Sequence, residues 1–116
     1  MKPKTIGDIT IARMVDKEST EHRYQNWFPD VPQEVFDSHR DWMDPYFFDY
    51  DAGTIIFSYH GFVLKSERHT VVVDTCIGND KEREARPLYH LRNDTRYMDE
   101  LAAAGVHPEE VDYVMC

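Results

Sequence analysis

The residues with types and spacing suited to chemistry are densest in His69 to Asp80, read as HTVVVDTCIGND. Thr70 and three consecutive valines favour a pleated strand buried on both faces, because an unbroken apolar run leaves no side for solvent. The run stops at Asp74, and Thr75, Cys76, Ile77, Gly78, Asn79 and Asp80 then supply turn formers and hydrogen-bonding side chains. An acidic group is thereby predicted at the carboxyl end of a core strand, where α/β architectures gather their chemistry. Two readings of Asp74 stay open at this point: part of a site, or the cap of a turn. Cys76 would be a nucleophile only beside a base that lowered its pKa, and the sequence names no such base, so a passive thiol is the better reading.

Metal chemistry needs ligands that converge. The six histidines, His22, His39, His60, His69, His90 and His107, are dispersed, with no pair at one-, two- or four-residue spacing. His60 lies in a largely apolar strand and reads first as a hydrogen-bonded core histidine. Gly61 and Gly78 form no phosphate loop, and neither GxSxG nor GxxxxGK occurs.

The elements that must position Asp74 follow from periodicity. Asp8 to Asp16 carries Ile9, Ile11 and Val15 at period two against Thr10 and Ala12, which predicts a half-buried first strand, with Arg13 breaking the pattern. Residues 17–51 mix polar sequence with Pro29, Pro32 and Pro45 and with nine aromatic residues, Tyr24 and Trp27 through Tyr50, and are expected to be a weakly structured aromatic arm or lid. Within them a short helix from about Pro32 to Trp42 is predicted, capped by Asp30 with Gln33 completing a capping box and with Val35, Phe36 and His39 on one face. The rings could equally pack over the domain's own core.

Thr54 to Ser66 reads as a long strand, and Ser66 to His69 connects it to the valine strand as an antiparallel hairpin. Lys81 to Arg92 is charged and predicted to be a surface loop, with a helical turn starting at Pro87. Asp94 to Ala104 predicts a helix capped by Asn93 or Asp94, with Tyr97, Met98, Leu101 and Ala102 as its apolar stripe and Gly105 as its end. A further turn at Pro108 and a strand from Val111 to Cys116 complete a crossover. The last strand ends on an apolar run with no polar turn after it, so a truncated domain is expected, a natural C-terminal strand being the competing reading.

A chain of 116 residues suits one domain with one modest core. Hydrophobic content of 41% marks it as globular, and a net charge of −9 disfavours nucleic acid as a partner of the bulk surface. Two cysteines far apart suggest no disulfide framework. With no signal-like segment and no run of about 18 apolar residues, a cytoplasmic protein without membrane contact is expected.

In order along the chain, GDITIARMVD, IIFSYHGFVLKS, HTVVVDTCIGND, DELAAAGV and HPEEVDYVMC resemble the amino-terminal part of metallo-β-lactamase-fold hydrolases. The GNDK loop is similar to that of their lactonase and organophosphate-hydrolase-like branch. The resemblance implies an α/β fold, the N-terminal part of an αββα sandwich with a mainly antiparallel sheet and one covering helix. It implies that residues 1–116 are a single truncated domain whose core is 54–116. In that family the strand matching DYVMC leads into a Thr-His-x-His-x-Asp-His loop that holds one or two divalent metal ions, expected to be zinc, and this sequence ends just before it. Asp74 matches an aspartate that supports the metal-binding loop by hydrogen bonding without serving as a main ligand. Cys76 stands where the family often has glycine, and Cys76, Ile77 and Asn79 would rim the pocket.

On this reading the chain is the N-terminal fragment of a metal-dependent hydrolase acting on an ester, lactone or phosphotriester-type bond of a small molecule. Its metal ligands are missing, so it is expected neither to bind metal tightly nor to catalyse alone. Self-association through uncovered apolar faces is expected. The alternatives are a non-catalytic interaction domain that uses the aromatic arm and, third, a nuclease of the same fold.

Overall fold

The computed structural model describes residues 2–116 and shows a six-stranded sheet with three short α-helices. The strands are β1 (Lys4–Ile6), β2 (Ile9–Arg23), β3 (Phe48–Asp49), β4 (Thr54–Lys65), β5 (Thr70–Val73) and β6 (Tyr113–Met115), and the helices are α1 (Gln33–Asp37), α2 (Arg40–Met43) and α3 (Arg96–Ala103). The sheet order is β1-β2-β4-β5-β6, with β3 pairing β4 beside this path. β1 pairs β2, β3 pairs β4 and β4 pairs β5 antiparallel, whereas β5 and β6 run parallel, with Val71, Val72 and Val73 opposite Tyr113, Val114 and Met115. The chain divides into two units, Met1–Lys17 with Tyr59–Cys116, and Glu18–Ser58.

The first unit carries the predicted hairpin and crossover. Thr70 pairs Lys65 and Val73 pairs Phe62, and the connection is fastened by the Ser66 hydroxyl, which accepts the amide N–H of His69 at 3.0 Å. α3 then returns the chain to the parallel strand, as a crossover must. The helix closes on Gly105 at φ +72°, with the Gly105 N–H on the Ala102 carbonyl and the Val106 N–H on the Leu101 carbonyl. That paired closure satisfies the last free carbonyls and brings Val106 onto Leu101. Both join Met14, Val63 and Val72 in the core of this unit.

Two strand readings change. The valine strand buries Val72 on one face only, while Val71 and Val73 are half-buried. In β2 the period is as predicted but the phase is reversed: Met14 and Asp16 are buried and Ala12 packs against the core that holds Met14, whereas Ile9 is exposed and Ile11 and Val15 are half-buried. A one-residue phase change exchanges the two faces of a strand. Here the buried carboxylate of Asp16 has found a guanidinium, so the inward face tolerates an acid.

The second unit carries regular structure of its own. β2 continues through Lys17 to Arg23, and Tyr24, Phe36 and Phe48 build a small core of rings, with Phe36 and Phe48 stacked at 4.8 Å. The helix expected over Pro32 to Trp42 is split into α1 and α2. The Ser38 hydroxyl bonds back to the Val35 carbonyl at 2.7 Å, a local bond that competes with helix continuation. Asp30 is not the cap: α1 starts from Pro32 with no side-chain cap, and the Gln33 amide donates to Asp37. No helix among the described residues is long and apolar enough to cross a membrane.

Candidate functional site at the end of the valine strand

β5 delivers Asp74 to the end of the sheet, and three bonds fix it there. Its N–H donates to the Met115 carbonyl at 2.8 Å, extending the β5–β6 ladder by one step. Its carboxylate accepts the Cys76 N–H at 2.7 Å, and its carbonyl accepts the Tyr97 hydroxyl at 3.2 Å. Asp74 lies at φ +66°, a left-handed conformation that aspartate tolerates because its short side chain can bond locally. Cys76 lies at φ +57°, the region glycine enters most easily. The turn-capping role left open by the sequence is therefore present in the geometry.

Gly61 on β4 makes the close approach. A Cβ there would stand 2.5 Å from the Asp74 carbonyl oxygen and 2.7 Å from that of Val73, both backbone atoms that cannot swing aside. Gly61→Ala is expected to destabilise the chain by about 1–3 kcal/mol, because β4 and the Asp74 turn must part. Urea denaturation measures the cost. Amide shifts over residues 74–77 should move with it, and a variant as stable as the parent with unmoved amides would contradict the packing.

A second cluster, not anticipated from sequence, holds the far side of the turn. Asp16 is 2% exposed and pairs with Arg92 at 2.7 Å. The same carboxylate accepts the Ile77 N–H at 3.1 Å, and Arg92 also donates to the Asp16 carbonyl and to Asp94. Nearby, the backbone of Val15 is satisfied by α3: its N–H donates to Glu100 and its carbonyl accepts from Arg96. Arg92 thus ties β2, the loop and the start of α3 around Ile77.

This setting makes Cys76 a poor nucleophile. Burial, and then the charges of Asp16 and Asp74, push its thiol up to about 11. Burial, and then Cys76, Asp74 and Asp16, push the Tyr97 hydroxyl up to about 12, so it stays protonated as a donor to Asp74. At pH 8 the Cys76 thiolate fraction is about one in a thousand, so alkylation by iodoacetamide should run roughly a hundredfold slower than for an unperturbed thiol and rise with pH towards 11. Peptide mass spectrometry against glutathione reads this directly, and a glutathione-like rate would contradict the burial.

Asn79 and the loop after it are also fastened. The Asn79 amide donates to the Asp94 carbonyl, Asp80 pairs Arg92 and Lys81 pairs Leu91 through backbone bonds, and the Arg83 N–H donates to His90 Nδ1 at 2.9 Å. The predicted turn at Pro87 forms as a 3-10 turn, Pro87–Tyr89. Ile77 is buried, Cys76 half-buried and Asn79 exposed. Of the three, Ile77 lines a cavity of about 440 Å³ beside the turn, with Tyr59, Arg83, Ala85, Arg86 and Tyr89.

The donor set does not fit a divalent ion. Asp16 is neutralised by Arg92, and His60, His69 and His90 lie against Phe62, Asp112 and the Arg83 N–H. No group of three or more His, Cys, Asp or Glu side chains converges on an ion site among the described residues.

No family model matches the chain and no curated protein matches it. Solved structures do. A probable metal-dependent hydrolase from Staphylococcus aureus is similar at 20% identity and a TM-score of 0.67, over 96% of this chain and 38% of that one. AbOPH, a hydrolase in the beta lactamase superfamily, is similar at 20% identity and a TM-score of 0.63, over 97% of this chain and 33% of that one. The fold is a mixed α/β fold of the metallo-β-lactamase-like kind, and the chain spans less than two fifths of either structure.

Proposed function

We propose that this chain is the N-terminal part of a metal-dependent hydrolase that acts on an ester, lactone or phosphotriester-type bond of a small molecule. The observation that carries the reading is the placement of the Asp74 turn at the end of β5, bonded to Met115 of the parallel neighbour, in a fold shared with two hydrolases. Asp74 stands beside the end of β6, its N–H on the Met115 carbonyl at 2.8 Å. In this role Asp74 orients a metal-holding loop through hydrogen bonds, a task whose loss typically lowers metal affinity or activity by about 10–100-fold. Cys76 and Asn79 then stand at the rim of the substrate pocket with Ile77, and residues 17–51 serve as an aromatic arm. Zinc is the metal we assign to the whole enzyme, and its ligands would come from sequence outside this chain. The acidic surface favours a small-molecule substrate over nucleic acid and so weighs against a nuclease of this fold.

A second reading is an interaction domain. It is favoured by the exposure of Trp27, Phe28, Trp42, Tyr46 and Phe47 in the second unit, since exposed apolar area often marks a partner surface. The gene beyond the Cys116 codon separates the two. A histidine-rich continuation of the His-x-His-x-Asp-His type supports the hydrolase, and an in-frame stop overturns it. Stoichiometric zinc binding with lactone or phosphotriester hydrolysis by the 116-residue chain itself would overturn the assignment of the ligands to other sequence.

A further inference from the structure

We propose that the cavity beside Ile77 is a binding site for a small aromatic anion, an aryl carboxylate or aryl phosphate. At about 440 Å³ the cavity has the size of small-ligand pockets. Its walls match both halves of such a molecule. Ile77, Ala85 and the phenol rings of Tyr59 and Tyr89, which meet edge to face at 5.4 Å, offer an apolar surface for a ring. Arg83 and Arg86 supply the only charges in the lining, and both are positive. In a chain of net charge −9 this is a local reversal of sign, which selects anions at the cavity against the field of the whole.

Arg83 carries the argument furthest. Its Nη2 donates to the Ile77 carbonyl at 2.9 Å, which aligns the guanidinium, while its Nη1 is buried without a hydrogen-bond partner among the described residues. Carboxylate and phosphate oxygens are the acceptors that a guanidinium fork matches best. The loop that presents Arg83 is held by the Arg83–His90, Lys81–Leu91 and Asp80–Arg92 bonds, so little ordering is needed on binding. The cavity shares Ile77 with the rim of the substrate pocket proposed above, but anion binding there requires neither metal nor turnover, so its failure is distinguishable from failure of the hydrolase reading.

Calorimetry of the 116-residue chain in chelator-treated buffer tests it with phenyl phosphate, 4-nitrobenzoate and the neutral 4-nitrobenzyl alcohol. The anions are expected to bind at least about tenfold more tightly than the alcohol. Arg83→Met should weaken the anions by about tenfold or more and leave the alcohol unchanged, and Ala85→Trp, which fills the cavity and keeps both guanidiniums, should remove all binding. If circular dichroism shows Arg83→Met unfolded, Arg86→Gln takes its place, with an expected loss of roughly threefold for the anions alone. Which of the two anions binds more tightly decides between carboxylate and phosphate. Equal binding of the alcohol, no binding of any probe at about 10 mM, or undiminished binding by Ala85→Trp would overturn the proposal.

Discussion

Arg92→Met is expected to destabilise this protein by about 3–5 kcal/mol, a large part of the roughly 5–15 kcal/mol that holds a domain of this size together. The cost arises less from the lost attraction than from what remains. Asp16 is 2% exposed, and without the guanidinium its carboxylate would be a buried charge whose one remaining hydrogen bond comes from the Ile77 N–H. The Arg92 side chain is itself 10% exposed and also holds the Asp16 carbonyl and the Asp94 carboxylate, so its removal unfastens β2 from the 79–94 loop. Urea denaturation of the single variants and of the Asp16→Met, Arg92→Met double variant closes the cycle. The double variant should recover much of the loss, because two apolar side chains leave no unpaired charge. Equal damage in the single and double variants would contradict this.

Acid should act on the same cluster. The Asp94 carboxyl is held below its ordinary value of 3.8, first by the hydrogen bond from Arg92, against the opposing effect of desolvation, and then by the Arg96 N–H. A lowered folded pKa gives stability that is fully present above 3.8 and is lost as pH falls through the lower folded value. Asp94 is 43% exposed, so solvent screening keeps this contribution small.

Phe48→Ala is expected to cost about 3–5 kcal/mol in the second unit. Phe48 is fully buried and is the ring on which the others converge, at 4.8 Å from Phe36, 4.7 Å from Tyr50 and 5.8 Å from Tyr24. Truncation leaves a cavity among rigid rings that cannot collapse easily. The near-ultraviolet dichroism of these rings should fall with the stability, whereas Phe48→Leu should retain most of both. A Phe48→Ala variant with parental stability would show that the cluster is not a core.

What could be read from the sequence was local. The β4–β5 hairpin, the glycine-closed helix and the returning strand each rest on a few adjacent residues, and Gly105 with Val106 announces the helix end by chemistry alone. The Asp16–Arg92 pair joins residues far apart in sequence, and no periodicity connects them. Without that partner an inward-facing Asp16 looks wrong, which is why the face with Ile9 and Ile11 was the natural core choice for β2. The only forward signal was Met14 and Ala12 at period two with Asp16. Gly61 gave no sign either, since its role depends on which carbonyl lies across from it. Asp74 was legible as a strand-end acid, and its turn geometry adds the bonds that hold it.

The most direct test of the central claim is hydrolysis and metal content measured together on the protein translated from its whole reading frame, as parent and as Asp74→Asn. With zinc, the parent is expected to cleave at least one of a lactone, a carboxylic ester and a phosphotriester, to lose that activity to a chelator and to regain it with the metal. Asp74→Asn should fold yet lose about 10–100-fold in metal affinity or activity. A metal-loaded parent inert towards all three bonds, or an Asp74→Asn variant equal to the parent in both measurements, would contradict the account.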